Sequence, residues 1–162
     1  MVVVPYDERW KRDFLKITAE LLLVLEKLII GIDHVRSTSV HDLSAKPIMD
    51  INIVIKEGTF LQPVIRALEK IGYQHEGNLG ILGREAFKYS GKDHLNQHHL
   101  YVCPLDSLEL KKHIAVRDYL RDHPDAVCDY SSIKEQGAKL HSEDIDGYIA
   151  YKNPLSRYFM QK

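Results

Sequence analysis

Two hydrophobic periods alternate along this chain, and the change from one to the other marks its elements. Over residues 6–30, Trp10, Phe14, Ile17, Leu21, Val24 and Leu28 recur at steps of three and four, which predicts a helix with one buried face. Asp7 is placed to cap its N-terminus, and Gly31 to supply a left-handed residue past its end. Residues 32–35 then read as a short strand. After the Ser37-Thr38-Ser39 run and Lys46-Pro47 comes a second strand, residues 48–55, with the sequence Ile-Met-Asp-Ile-Asn-Ile-Val-Ile. Period-two geometry puts Ile51, Ile53 and Ile55 on one face and Asp50 and Asn52 on the other. One face packs, and the other carries polar groups.

Helical spacing returns over residues 59–71 through Phe60, Val64, Ala67, Leu68 and Ile71, with Pro63 in the first turn and Gly72 as the stop. Residues 73–76 predict a strand. Beyond a loop containing Gly77, Gly80 and Gly83, residues 85–89 and 98–102 predict an antiparallel hairpin with a long tip. Ser107 begins a helix through Leu108, Ile114, Val116 and Leu120, His123-Pro124 breaks it, and a further helix surrounds Val127, Tyr130 and Ile133. Ser142 or Asp144 starts a last helix, with Pro154 marking its end or the start of another. The expected fold class is α+β, a mixed sheet with flanking helices and a helical C-terminal part, in one domain over residues 1–162.

Composition narrows the function more by exclusion than by indication. A chain of 162 residues that is 44% hydrophobic and 28% charged has the makeup of a globular domain. Its net charge of -1 provides no overall field for coating nucleic acid or for recruitment to an anionic bilayer. The longest apolar run, residues 21–25, is far short of the roughly 20 residues of a membrane span, and a basic-then-apolar export pattern is missing, so a cytoplasmic protein is expected. Cys103 and Cys128 are read as reduced and structural.

Chemistry concentrates around the second strand. An ionised Asp50 flanked by aliphatics needs a partner, for which Lys46 or a cation is the candidate. Ser37, Thr38 and Ser39 lie where hydroxyls and backbone N–H groups can hold phosphate oxygens, so the two segments together predict a phosphate and metal cleft. The plainer alternative is that the hydroxyls cap a turn and Asp50 is tied to Lys46 or backbone. His94, His98 and His99 raise a zinc reading, which strand geometry weakens because His98 and His99 point to opposite faces. His99 and Tyr101 share a face and suit a cleft, with His99 an acid or base near neutral pH. His34 is read as a buried imidazole orienting the Ser37 loop. Arg84 ends the glycine loop, a place suited to anion contact, and Arg117 shares a helix face with Arg121.

The ordered motifs His34-Val35-Arg36-Ser37-Thr38-Ser39-Val40 and Leu43-Ser44-Ala45-Lys46-Pro47-Ile48-Met49-Asp50-Ile51 closely resemble the H-x-G-S-T-S-V and L-x-A-K-P-I-x-D-I signatures of the GrpB family. Val4-Pro5-Tyr6, His98-His99-Leu100-Tyr101-Val102, Arg117-Asp118-Tyr119-Leu120-Arg121, Lys134 and Lys152 extend the resemblance over nearly the whole chain. It implies a nucleotidyltransferase-like fold and a cleft for a nucleotide or other phosphorylated small molecule. Arg36, Ser37, Thr38, Ser39, Lys46, Arg84, Tyr101, Arg117, Lys134 and Lys152 are its candidate ligand-binding residues, with Asp50, Asn52 and His99 the candidate catalytic set. Mg²⁺ or Mn²⁺ is the implied cofactor, with Asp50 its anionic ligand. A second reading, from the family's occurrence fused to dephospho-CoA kinase, is a non-catalytic accessory or folding-partner domain. Two departures bear on catalysis: Arg36 stands where the family has Gly, and Asn52 where a nucleotidyltransferase has its second acid. Arg36 either crowds the phosphate pocket or binds phosphate in place of a metal charge.

Overall fold

The structure, a computed structural model, describes residues 2–160. Helix α1 (Arg9–Leu25) is followed by strands β1 (Gly31–Val35) and β2 (Met49–Ile55), helix α2 (Leu61–Glu69) and strands β3 (Tyr73–Gly77), β4 (Glu85–Tyr89) and β5 (His98–Pro104). Helices α3 (Leu108–Asp122), α4 (Pro124–Leu140) and α5 (Ile145–Met160) complete it. The strands form one sheet in the order β1-β2-β5-β4-β3. Only β2 and β5 pair in parallel; the other neighbours are antiparallel, so the sheet is mixed and the class is α+β, as expected.

The period-two reading of β2 predicts the layering. Ile51, Ile53 and Ile55 enter a core with Ile17, Leu21 and Leu25 of α1, Val64 and Leu68 of α2, and Leu100 and Val102 of β5. These side chains are 0 to 1% exposed, and each contributes roughly 1.5–3 kcal/mol by leaving water. On the other face Val54 and Cys103 pack against Leu110 of α3. A third cluster, Val40, Leu43, Leu120, Val127 and Tyr130, joins the segment after β1 to α3 and α4.

Helix boundaries follow local chemistry, with three departures from expectation. The carboxylate of Asp7 accepts the Arg9 backbone N–H at 2.9 Å, but α1 stops at Leu25 rather than residue 30. Its continuation is overridden by the sheet: the Ile30 N–H already donates to the Val54 carbonyl at 2.8 Å, so Gly31 opens β1 and is no helix stop. The last helix starts behind Asp144, whose Oδ1 accepts the Gly147 N–H at 2.9 Å, and runs on through Pro154. Gly72 ends α2 with φ +94, and Ser107 caps α3 by accepting the Leu110 N–H. Cys103 and Cys128 are free thiols, the first buried and the second exposed. Among the described residues, no helix is long and apolar enough to cross a membrane.

Candidate functional site

Between β1 and β2 the chain makes a single 3-10 turn, Ser37–Ser39, held from two sides. From below, His34 Nε2 and Thr38 Oγ1 share a hydrogen bond of 2.8 Å, with the imidazole stacked on Phe14 and 8% exposed. Burial, then the Arg121 charge, pulls the His34 pKa down to about 4, so the ring is neutral at pH 7. From the helical side, Arg121 Nε and Nη2 donate to the Ser39 carbonyl at 3.1 and 2.8 Å. Ser39 donates both its N–H and its hydroxyl to the Arg36 carbonyl. Arg36 itself sits at φ 61, ψ -157, backbone space that belongs almost solely to glycine.

The parallel register of β2 and β5 sets Asp50 beside His99 and Asn52 beside Tyr101, all on the face away from α1 and α2. Asp50 Oδ1 lies 3.2 Å from His99 Nδ1, and Oδ2 is 4.0 Å from Arg36 Nε. These are its partners in place of Lys46, whose ammonium stands 4.9 Å over the Tyr148 ring, drawn there by the helical wall. Burial alone would raise the Asp50 pKa, but the His99 hydrogen bond and the Arg36 charge outweigh it and hold the carboxyl below its ordinary range. Tyr101 is pushed the other way, by burial and then by the Asp50 charge.

Helices α3, α4 and α5 supply the opposite wall. Lys134 of α4 is 3% exposed, with its ammonium donating to Ser37 Oγ and, at 3.4 Å, to the Ser44 carbonyl. Burial, reinforced by Lys152 and Arg36, drives its pKa well below that of a free lysine. Lys152 of α5 lies 5.2 Å from the Tyr148 ring centroid, and burial followed by the Arg36 and Lys46 charges takes it down to about 8. Arg117 of α3 is tied to Asp33, Asp118 and the His34 carbonyl. The space enclosed is about 560 Å³. Six Lys and Arg residues line it against only two carboxylates, Asp50 and Glu109, in a chain whose net charge is -1.

Of the candidate residues, Arg36, Ser37, Thr38, Lys46, Asp50, His99, Tyr101, Arg117, Lys134 and Lys152 meet around this space. Three do not. Ser39 turns its hydroxyl back onto Arg36, and Arg84 stacks its guanidinium 4.3 Å from the Tyr101 ring centroid outside the lining. Asn52 is 0% exposed, with Nδ2 3.2 Å from His113 Nδ1, because α3 covers this position. The three histidines of the zinc reading go to different partners: His94 to Glu20, His98 to Tyr73, and His99 to Asp50. Sequence reasoning missed Glu109, Lys112, His113, Tyr130 and Tyr148 as lining residues. A signal for two of them exists, since Glu109, His113, Arg117 and Arg121 recur at steps of four and so share one face of α3.

These donors do not fit a two-cation site. Asp50 engages a guanidinium and an imidazole, Asn52 is uncharged and out of reach, and Glu109 pairs with His113 Nε2 at 3.2 Å. Among the described residues, no group of three or more His, Cys, Asp or Glu side chains is placed to hold a metal ion.

A mixed sheet with an acid on an interior strand, a short serine turn before it and a helical wall opposite defines a nucleotidyltransferase-like fold. Solved structures of Cid1, titled as a poly(U) polymerase, share it: the complex with the UTP analog UMPNPP matches with a TM-score of 0.61 at 9% identity, over 92% of this chain and 48% of that one. The family model described as GrpB protein matches residues 1–162, and the chain belongs to that family. The crystal structure of conserved protein GrpB from Enterococcus faecalis matches with a TM-score of 0.84 at 28% identity, over 99% of this chain and 98% of that one. UPF0157 protein YqkA of Bacillus subtilis is 32% identical over 93% of this chain, and UPF0157 protein PA4798 of Pseudomonas aeruginosa is 30% identical over 94%. The chain spans 43% and 63% of the length of those two relatives. A protein of Mycolicibacterium paratuberculosis named dephospho-CoA kinase is 24% identical over 96% of this chain, which spans 44% of it.

Proposed function

We propose that this protein binds a phosphorylated small molecule, nucleotides included, in the cleft between the Ser37 turn and the C-terminal helices. The observation that carries this reading is the concentration of charge: six Lys and Arg side chains against two carboxylates around about 560 Å³, in a chain whose net charge is -1. Such a cleft focuses an attractive potential on anions, and its volume is in the range of small-molecule sites. Lys134 donates to Ser37 Oγ, which leaves the Ser37 hydroxyl proton for a phosphate oxygen. Lys46 and Lys152 both rest their ammonium groups against the buried Tyr148 ring, so the helical wall presents two cations together. A phosphate arriving there favours the ammonium form of Lys152, whose pKa is lowered to about 8, so binding near that pH takes up a fraction of a proton.

The residues present do not support two-cation nucleotidyl transfer, because Asp50 is engaged by His99 and Arg36 and Glu109 by His113. The second reading, an accessory module, is favoured by the relative named dephospho-CoA kinase, in which a segment like this one is part of a longer chain.

Calorimetric titration with inorganic pyrophosphate and a panel of nucleotides tests the proposal. Binding with proton uptake is expected, and Lys134→Met should weaken it at least about tenfold, the loss of one charge-assisted hydrogen bond. The same variant should melt at a higher temperature, since it removes a nearly dry ammonium. Failure of every phosphate compound to bind the folded parent would overturn the reading in favour of the accessory module.

A further inference from the structure

We propose that Arg36 is the resident cation of this cleft: its guanidinium takes the place of a divalent metal ion beside Asp50, so that polyphosphate anions bind without Mg²⁺ or Mn²⁺. This rests on the phosphate-binding reading and specifies how that site is charged. The first observation is the backbone. At φ 61, ψ -157 a side chain is strained where glycine is not, and the family motif has glycine here, yet this chain carries arginine. The strain persists because the turn is over-determined, with Ser39 donating twice to the Arg36 carbonyl and Arg121 donating twice to that of Ser39.

The second observation is where that backbone sends the side chain. The Arg36 ion pair with Asp50 runs through Nε, 4.0 Å from Oδ2, which leaves the Nη1 and Nη2 amino groups of the planar fork for a second anion. The third is the vacancy in negative charge. A cation pair needs several carboxylates to hold it, and the position that would carry the next acid on β2 is Asn52, fully buried against His113. The strained arginine and the uncharged Asn52 have complementary consequences, one adding a cation beside Asp50 and the other supplying no second acid to hold a metal ion. With Asp50 the one carboxylate that β2 brings to the cleft, the Arg36 guanidinium balances it, and the lysines of the helical wall remain for the ligand.

The test is titration of the protein with pyrophosphate in EDTA and in Mg²⁺, together with titration by Mn²⁺ alone. The parent should bind pyrophosphate in EDTA within about threefold of its affinity in Mg²⁺, and should show no stoichiometric Mn²⁺ site. Arg36→Gly should weaken binding in EDTA by about 10- to 100-fold, the worth of a hydrogen bond to a charged group. Arg36→Gln keeps the strained backbone without the charge and should weaken binding equally; only the glycine variant should also melt at a higher temperature. Binding by the parent that requires Mg²⁺, or equal or tighter binding by Arg36→Gly in EDTA, overturns the role of Arg36 and leaves the phosphate reading standing. No binding of pyrophosphate or nucleotides by the parent in either buffer overturns both.

Discussion

On β2, Ile51, Ile53 and Ile55 enter the layer formed by α1 and α2 and lose all but 0 to 1% of their exposure, whereas Asp50 and Asn52 on the same seven-residue strand face α3, α4 and α5. The first face is held by area and shape: each aliphatic touches several others, and the contribution of any one is shared by the cluster. The second is held by assigned pairs between distant parts of the chain, Asn52 with His113, Lys134 with Ser37, Asp50 with His99 and Arg36. Pairs can be left out of balance, as a hydrophobic layer cannot. The surplus of cations over carboxylates on this face is what the proposed phosphate binding rests on.

The largest effect that can break this contrast is on the dry face. Ile53→Ala removes a fully buried side chain and should cost about 2–5 kcal/mol of stability, seen as a lower urea midpoint with an unchanged slope. Pyrophosphate affinity of the protein that stays folded should be unaltered, because Ile53 is on the opposite face from Asp50. A change in that affinity without loss of stability would mean that the two faces are not separable.

Buried histidines should dominate the response to acid, and two of them, His34 and His98, stand on the α1–α2 side of the sheet, in register with Ile51 and Met49. His34 has its pKa lowered from 6.5 to about 4 by burial and by Arg121, so the unfolded chain binds a proton in a range where the folded protein does not. Stability from this group is therefore complete above pH 6.5 and is lost as pH falls from 6.5 towards 4, by about 3 kcal/mol in all. Burial lowers the pKa of His98 and His113 as well, adding losses of the same sign. Urea midpoints at intervals from pH 7.5 to 4.5 measure the slope. His34→Gln retains a hydrogen-bonding side chain beside Thr38 but does not titrate, and should flatten the slope between pH 6.5 and 5. An unchanged slope in that variant would place the acid sensitivity elsewhere.

The same contrast explains how much could be read from the sequence. The apolar face was legible because its rule is local: alternation in residues 48–55 names Ile51, Ile53 and Ile55, and three-four spacing in α1 names Trp10, Ile17 and Leu21, although it passes over the fully buried Leu25 for the partly buried Val24. The boundary errors are also local rules overridden, as at residues 26–31, where pairing with β2 takes the chain out of the helix before Gly31. On the polar face, sequence identified which residue types gather but not which reach the space between them. Asn52 shares a strand face with Asp50, and only the packing of α3 determines that one is covered and the other is not. Lys134 is 97 residues from Ser37, and its own neighbours contain no spacing that points there; its candidacy came from the family motif alone.

The smallest expected effect sharpens the role of surplus charge. Lys152 has its pKa lowered to about 8, by burial first and then by repulsion from Arg36 and Lys46. Below pH 8 it is an ammonium and attracts an anionic ligand; above pH 8 it loses that charge, so pyrophosphate affinity should fall as pH rises. Between pH 7 and 9 the protonated fraction drops about tenfold for a group with this pKa, which bounds the change in the dissociation constant. Lys152→Met should bind more weakly at pH 7 and approach the parent at pH 9, and the ligand's own ionisation cancels because it is common to both titrations. Because the anion favours the ammonium, parent binding at pH 8 should also take up a fraction of a proton that the variant does not, read from calorimetry in two buffers of different ionisation heat. Parallel pH curves for the two proteins would assign the attraction to Lys46, Lys134 and Arg36, and would leave Lys152 a wall residue whose charge the ligand does not feel.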